Sequence, residues 1–169
     1  MKKWHGLMKI VDIQHIRNGE VIWEEKNILN TFHTGGELFI LSCCFDNGGT
    51  LPPANYYFGL DNRGTISADD MLSDLVGEPS QNGYLRAAAP SNGVFTIDVI
   101  NGVYNASGPI VTFSATGSGY GPVTNLFMAT TSDNTGILVA TATLSAPITF
   151  ANTDSVNMRM RLSLQDGVC

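Results

Sequence analysis

The sequence predicts a mainly β protein: a single-domain antiparallel β-sandwich of jelly-roll type, with an N-terminal β-hairpin and one or two short helices. Three observations carry this. Residues 155–165 alternate strictly, with Val156, Met158, Met160, Leu162 and Leu164 on one side and Asn157, Arg159, Arg161, Ser163 and Gln165 on the other, the period of a strand with one face on a core. Asn18-Gly19 and Asn101-Gly102 each sit between β-patterned runs, the strongest short-range hairpin signal. The chain is 43% hydrophobic and only 14% charged, with 18 glycines among its 169 residues, a balance of strands and turns and the opposite of a disordered chain. A chain of this length buries roughly 70% of its unfolded surface in one core.

The elements follow in order. Residues 9–16 alternate, and the pattern resumes at 21–23 beyond the Asn-Gly turn. This hairpin, 1–26, is expected to project as an arm from a sandwich body, 27–169. A helix is expected near 34–44, with Thr34 as N-cap and Glu37 at N3 in a capping box. Its Gly35 and Gly36 weaken it by about 1 kcal/mol each relative to Ala. It is apolar almost all round, which predicts burial, and a buried strand is the competing reading. Residues 47–55 read as loop. The run 56–60 suits a strand, followed by the turn residues Asp61-Asn62-Arg63-Gly64. A second short helix is expected near 67–76. Ser67 and Asp70 resemble a capping box, Met71, Leu72, Leu75 and Val76 form an apolar stripe, and Gly77 and Pro79 end it. Strands then follow at 94–100, 103–105 and 110–115. Residues 123–129 are nearly continuously apolar, as for a strand covered on both faces, and 137–144 reads as a further strand with 147–150 as a short edge-like piece.

The formal net charge of −6 lies almost wholly in the middle of the chain: residues 34–83 hold one Lys/Arg against seven Asp/Glu. With no basic stripe elsewhere, the sequence predicts no nucleic-acid partner. Cys43, Cys44 and Cys169 do not make a disulfide framework, and the adjacent pair reads as small buried hydrophobes. Met1-Lys2-Lys3 is not followed by a leader's apolar core, and no run approaches the roughly 20 residues of a membrane helix. The expectation is a soluble product of a reducing compartment, without membrane contact.

Each candidate for chemistry has a better structural reading. His5, His15 and His33 are scattered and lack zinc-ligand spacing. Asp69, Asp70 and Asp74 suit a helix start, and no calcium loop surrounds them. The glycines of 117–122 precede no helix, so they make a turn and no phosphate loop. No nucleophile motif is present, and Asn105-Ala106-Ser107 matches a glycosylation sequon that is idle without secretion. The sequence therefore predicts no enzyme, no cofactor and no metal. The candidate interface residues are Trp4, Ile10, Ile13 and Trp23 on the hairpin and Arg159 and Arg161 on the outer face of the last strand.

One ordered set of features is informative as a whole. A Val-Ile-Trp-Glu-x-Lys-Asn segment precedes the Asn30-led apolar run. Tyr57-Phe58-Gly59-Leu60, Glu78-Pro79-Ser80 and Gly83-Tyr84-Leu85-Arg86 come next, then Phe113-Ser114-Ala115 and Gly121-Pro122-Val123-Thr124-Asn125-Leu126-Phe127. Over roughly residues 20–165 this resembles small structural proteins of tailed-bacteriophage virions, in particular the β-sandwich class that decorates or cements capsids. The resemblance implies a non-enzymatic protein on the capsid outer surface, made in the host cytoplasm. It also implies that the protein binds between major capsid protein subunits, as a homotrimer at local three-fold positions. A tail or baseplate component is one alternative. A host-glycan or receptor module using Tyr56, Tyr57, Tyr84 and Tyr120 as stacking faces is another.

Overall fold

The computed structural model describes residues 4–46 and 49–166, with side chains described for 12–28, 30–46 and 49–163. The Asn-Gly hairpin joins β1 (Trp4–Arg17) to β2 (Glu20–Phe32), and α1 (Thr34–Phe45) follows. After β3 (Asn55–Asp61) comes a long strap over residues 62–86, and then β4 (Ala87–Pro90). The second Asn-Gly turn joins β5 (Thr96–Ile100) to β6 (Val103–Ser114), and β7 (Tyr120–Ala129), β8 (Leu138–Phe150) and β9 (Ser155–Asp166) complete the fold. These strands form two antiparallel sheets of five, because β2 serves both. Its early residues pair with β1, and Asn30–Phe32 pair with β8. The hairpin sheet runs β2-β1-β9-β6-β5 and the strap sheet runs β4-β3-β7-β8-β2. The sequence-predicted β-sandwich is the architecture observed.

Both turns use the left-handed backbone that an Asn-Gly pair tolerates: φ is 53° and 80° at Asn18 and Gly19, and 52° and 78° at Asn101 and Gly102. Between the sheets lies the main core, with Ile13, Phe58, Leu60, Phe113, Leu126, Met128, Val156 and Met158 almost fully buried. Val156, Met158 and Met160 point inward along β9 as the alternation predicts. A smaller core lies outside the strap sheet, where Leu72 and Leu75 cover Phe127, Ala129 and Leu138. That second layer is why residues 125–129 of β7 are buried on both faces.

Four expectations are corrected. The hairpin is no projecting arm: β1 is an interior strand, laddered to β9 from Trp4↔Asp166 to Ile16↔Ser155. Residues 67–76 form successive tight turns and one 3₁₀ turn, Leu72–Asp74, in place of a helix. Residues 137–144 and 147–150 belong to one strand, β8, whose pairing with β7 shifts register so that Pro147 meets no ladder bond it cannot make, and 103–105 and 110–115 likewise belong to one strand, β6, with a register shift between Ser107 and Ile110. The helix at 34–45 exists, but it is open to solvent on one side, and Cys44 is exposed with Cys43 half-buried.

Candidate interaction surface

α1 begins where β2 ends, and the junction is fixed by His33. Its backbone N–H donates to the Val139 carbonyl (3.0 Å), and its Nε2 lies 2.8 Å from Thr141 Oγ1. His33 is completely buried, and that burial pushes its imidazole below the ordinary value. His33, rather than Thr34, is the N-cap residue, and it makes no side-chain cap. Thr34 instead ties the helix to the strap, its N–H donating to the Ala68 carbonyl (2.8 Å) and its hydroxyl to Asp69 Oδ1 (2.8 Å). Gly36 lies flat on β8: a Cβ there would overlap the Val139 carbonyl, so only glycine allows this approach. Phe39 closes the buried side, edge-on to Tyr56 with ring centroids 6.4 Å apart.

The opposite side of α1 is open among the described residues. Leu38, Leu41 and Phe45 are 65%, 56% and 82% exposed, on one stripe at i, i+3 and i+7. On the Ile40 side of α1 the hairpin sheet overhangs the strap sheet. Ile97 pairs with Ala106, which pairs with Leu162, so Ile97 stands on the inner face of that sheet, as do Val99 and its partner Tyr104. Ile97 and Tyr104 are 69% and 73% exposed. Between helix and overhang runs an apolar groove of about 240 Å³, lined by Phe32, Ile40, Ile97, Tyr104, Ala106 and Leu162 among others. β5 is also an edge strand, with one row of backbone groups unpaired among the described residues.

The charged groups, by contrast, hold loops together. Arg17 grips Asp154 through Nε and Nη2 (2.9 and 2.7 Å), and His15 Nε2 lies 2.8 Å from Asp154 Oδ2. Those bonds, with the Ala151 N–H, hold the Asp154 carboxyl well below the usual range despite its burial. Arg63 bridges Asp61 and Asp70 at 2.8 Å each, and the Arg63 carbonyl accepts from Asn125 Nδ2. Arg86 pairs with both Glu78 oxygens (2.8 and 2.6 Å) and lies over the Phe127 ring, 5.0 Å from its centroid. The Tyr84 hydroxyl donates to Glu78 Oε1 (2.7 Å) and accepts from the Leu60 N–H, and burial pushes it far up. No group of three or more His, Cys, Asp or Glu stands ready to hold a metal among the described residues.

The sequence-predicted interface residues separate. Arg159 and Arg161 lie on the outer, polar face of the hairpin sheet, Arg159 between Asp12 and Ile110 and Arg161 with its Nε donating to Ser107 Oγ (3.2 Å). Ile13 is fully buried between the sheets and cannot meet a partner, because the register places it opposite Met158 on the core side. Trp23 packs half-buried against the same core. The side chains of Trp4 and Ile10 lie outside the described residues. Of the tyrosines, Tyr84 stacks on Phe113 and Tyr56 meets Phe39 and Phe95, so their faces are already covered. Sequence reasoning missed the α1 stripe and the β5–β6 overhang. The signal was present as a helix without a polar face, which was read as burial within the chain.

No protein-family model matches the chain, and no curated protein does.

Proposed function

We propose that this chain is a non-enzymatic structural protein of a tailed-phage virion, which decorates the capsid by binding between major capsid protein subunits. The observation that carries this reading is the division of the surface. The charged clusters are engaged in holding loops, while an open apolar face and a polar sheet face lie on the outside. Such a molecule adheres, and binding only the assembled shell stabilises that shell by mass action. The outer face of the hairpin sheet is the shell-contacting surface in this reading. Across its strands Lys26, Asp12 and Arg159 alternate in sign, and Arg161 lies one pair further along β9, at the register position of Lys9.

Because β1 is interior, deleting the hairpin removes the centre of a sheet, and point substitutions are the cleaner probe. Purified chain is added to shells lacking it, and occupancy and heat resistance are measured. Wild type is expected at hundreds of copies per particle, as the lattice repeats roughly that often, and Arg159→Glu with Arg161→Glu lowers occupancy about tenfold or more. A handful of copies confined to the tail would support the tail or baseplate reading and overturn this one.

A further inference from the structure

We propose that Asn92 is a site of spontaneous covalent modification, where the Gly93 backbone nitrogen attacks the Asn92 side chain and converts it to aspartate or isoaspartate. The chain holds five Asn-Gly pairs, beginning at 18, 47, 82, 92 and 101. Glycine places no Cβ beside its nitrogen, so every pair offers the same unshielded nucleophile in the unfolded chain. Asn47-Gly48 lies outside the described residues. The structure separates the other four.

The reaction needs only the chain and water. The Gly93 nitrogen loses its proton and bonds to Asn92 Cγ, ammonia leaves from Cγ, and a succinimide ring closes. Water then opens the ring. Attack at Cγ breaks the new C–N bond and leaves aspartate. Attack at the main-chain carbonyl carbon breaks the original peptide bond to Gly93 and leaves isoaspartate, with the chain running through the side chain. Nothing is oxidised or reduced. Either product adds a negative charge to a chain whose formal charge is −6, and isoaspartate also lengthens the main chain by a methylene.

Ring closure requires the glycine nitrogen to swing onto the Cβ side of the asparagine Cα–C bond. Asn18, Asn82 and Asn101 hold φ at 53°, 57° and 52°. This is the left-handed conformation, whose ψ lies near about +47°, and that ψ turns the next nitrogen away from Cβ. Reaching the ring from there means rotating the peptide plane by nearly half a turn. At Asn18 and Asn101 the ladders resist that rotation, because the pairs Arg17↔Glu20 and Ile100↔Val103 close the two hairpin turns. At Asn82 hydrogen bonds resist it. Its carbonyl accepts from the Thr116 N–H (2.7 Å), and its Nδ2 donates to Ser118 Oγ (3.1 Å) and to the Gly119 carbonyl.

Asn92 has none of these restraints. Its φ lies outside the left-handed region. It is exposed, and neither its side chain nor the Gly93 N–H has a hydrogen-bond partner among the described residues. A Cβ at Gly93 would meet nothing within 4 Å, so water reaches the reacting atoms freely. The loop is tied down on either side of the pair instead. The Ser91 N–H donates to the Ala54 carbonyl (3.0 Å), and Phe95 packs edge-on against Tyr56 with ring centroids 6.0 Å apart. Residues 91–95 connect β4 to β5, the outermost strands of the sheet order, so the new charge arises on the connection between two edge strands.

The test incubates the purified full chain at mildly alkaline pH, which speeds loss of the amide proton. Peptide mapping by mass spectrometry reads each site, and enzymatic methyl labelling reads isoaspartate. In the folded chain Asn92 is expected to react at least about tenfold faster than Asn18, Asn82 or Asn101, the ratio set by about 1.4 kcal/mol of added barrier at the turns. In concentrated guanidinium chloride that lead disappears and the four sites react alike. Asn92→Gln, whose longer side chain closes the larger ring poorly, is expected to slow the appearance of acidic forms on ion exchange. Folded-state reaction led by Asn18, Asn82 or Asn101 overturns the inference. So does a lead for Asn92 that is equal in the folded and unfolded chain, since the fold would then have sorted nothing. The inference stands apart from the virion reading, and neither result bears on shell binding.

Discussion

Asp154 holds its loop from complete burial. It sits in the β8–β9 turn and receives Arg17 from the β1–β2 hairpin, so one carboxylate joins the ends of both connections. A buried carboxylate is tolerated only when its lone pairs are filled, and here Arg17, His15 and the Ala151 N–H fill them. Its folded value is depressed, so its contribution is complete above the unfolded value near pH 4 and is lost as pH falls toward the folded one. Melting curves between pH 6 and pH 2.5 should therefore show wild type losing more stability below pH 4 than Asp154→Asn does. Parallel curves would remove Asp154 from this role. Gly59 has an equally local reason for its identity. The end of the Phe127 ring lies against it, where any Cβ would overlap the ring, and Arg86 lies over that same ring. Nothing in the sequence around Gly59 announces this, because the steric demand comes from a strand 68 positions away.

At the scale of elements, legibility follows how locally each element is determined. Most strands and both hairpin turns were readable because period-two alternation and Asn-Gly chemistry act within a few residues, whereas β4 was missed and β6 and β8 were each read as two pieces. The strap was misread for a physical reason. Asp70 Oδ2 accepts from the Ser67 N–H (2.9 Å) and Asp74 Oδ2 from the Met71 N–H (2.8 Å). Each looks like a helix start, but two starts four residues apart interrupt each other and leave tight turns. The apolar spacing nonetheless survives, since Leu72 and Leu75 are the buried pair while Met71 and Val76 face outward. Leu72→Ala and Leu75→Ala should each cost about 2–4 kcal/mol in denaturant unfolding. Losses below about 0.5 kcal/mol would mean the strap is not part of the cooperative fold. Likewise α1 was recognised as a helix, but its surroundings were not, because apolarity all round reads as burial and does not encode which side the rest of the chain leaves open.

Taken whole, the molecule ties Arg17, Arg63 and Arg86 into loop-holding pairs and leaves Arg159 and Arg161 on the outer face of the hairpin sheet. If that face engages the shell as proposed, salt should read it. Raising salt from 50 to 500 mM shortens the screening length from roughly 14 Å to 4 Å, so shell binding through the two arginines should weaken over that range. Arg159→Gln with Arg161→Gln should flatten the response, because the charges that salt screens are then gone. Co-pelleting with purified shells reads both. Wild-type binding indifferent to salt would mean that the arginines are not what holds the shell.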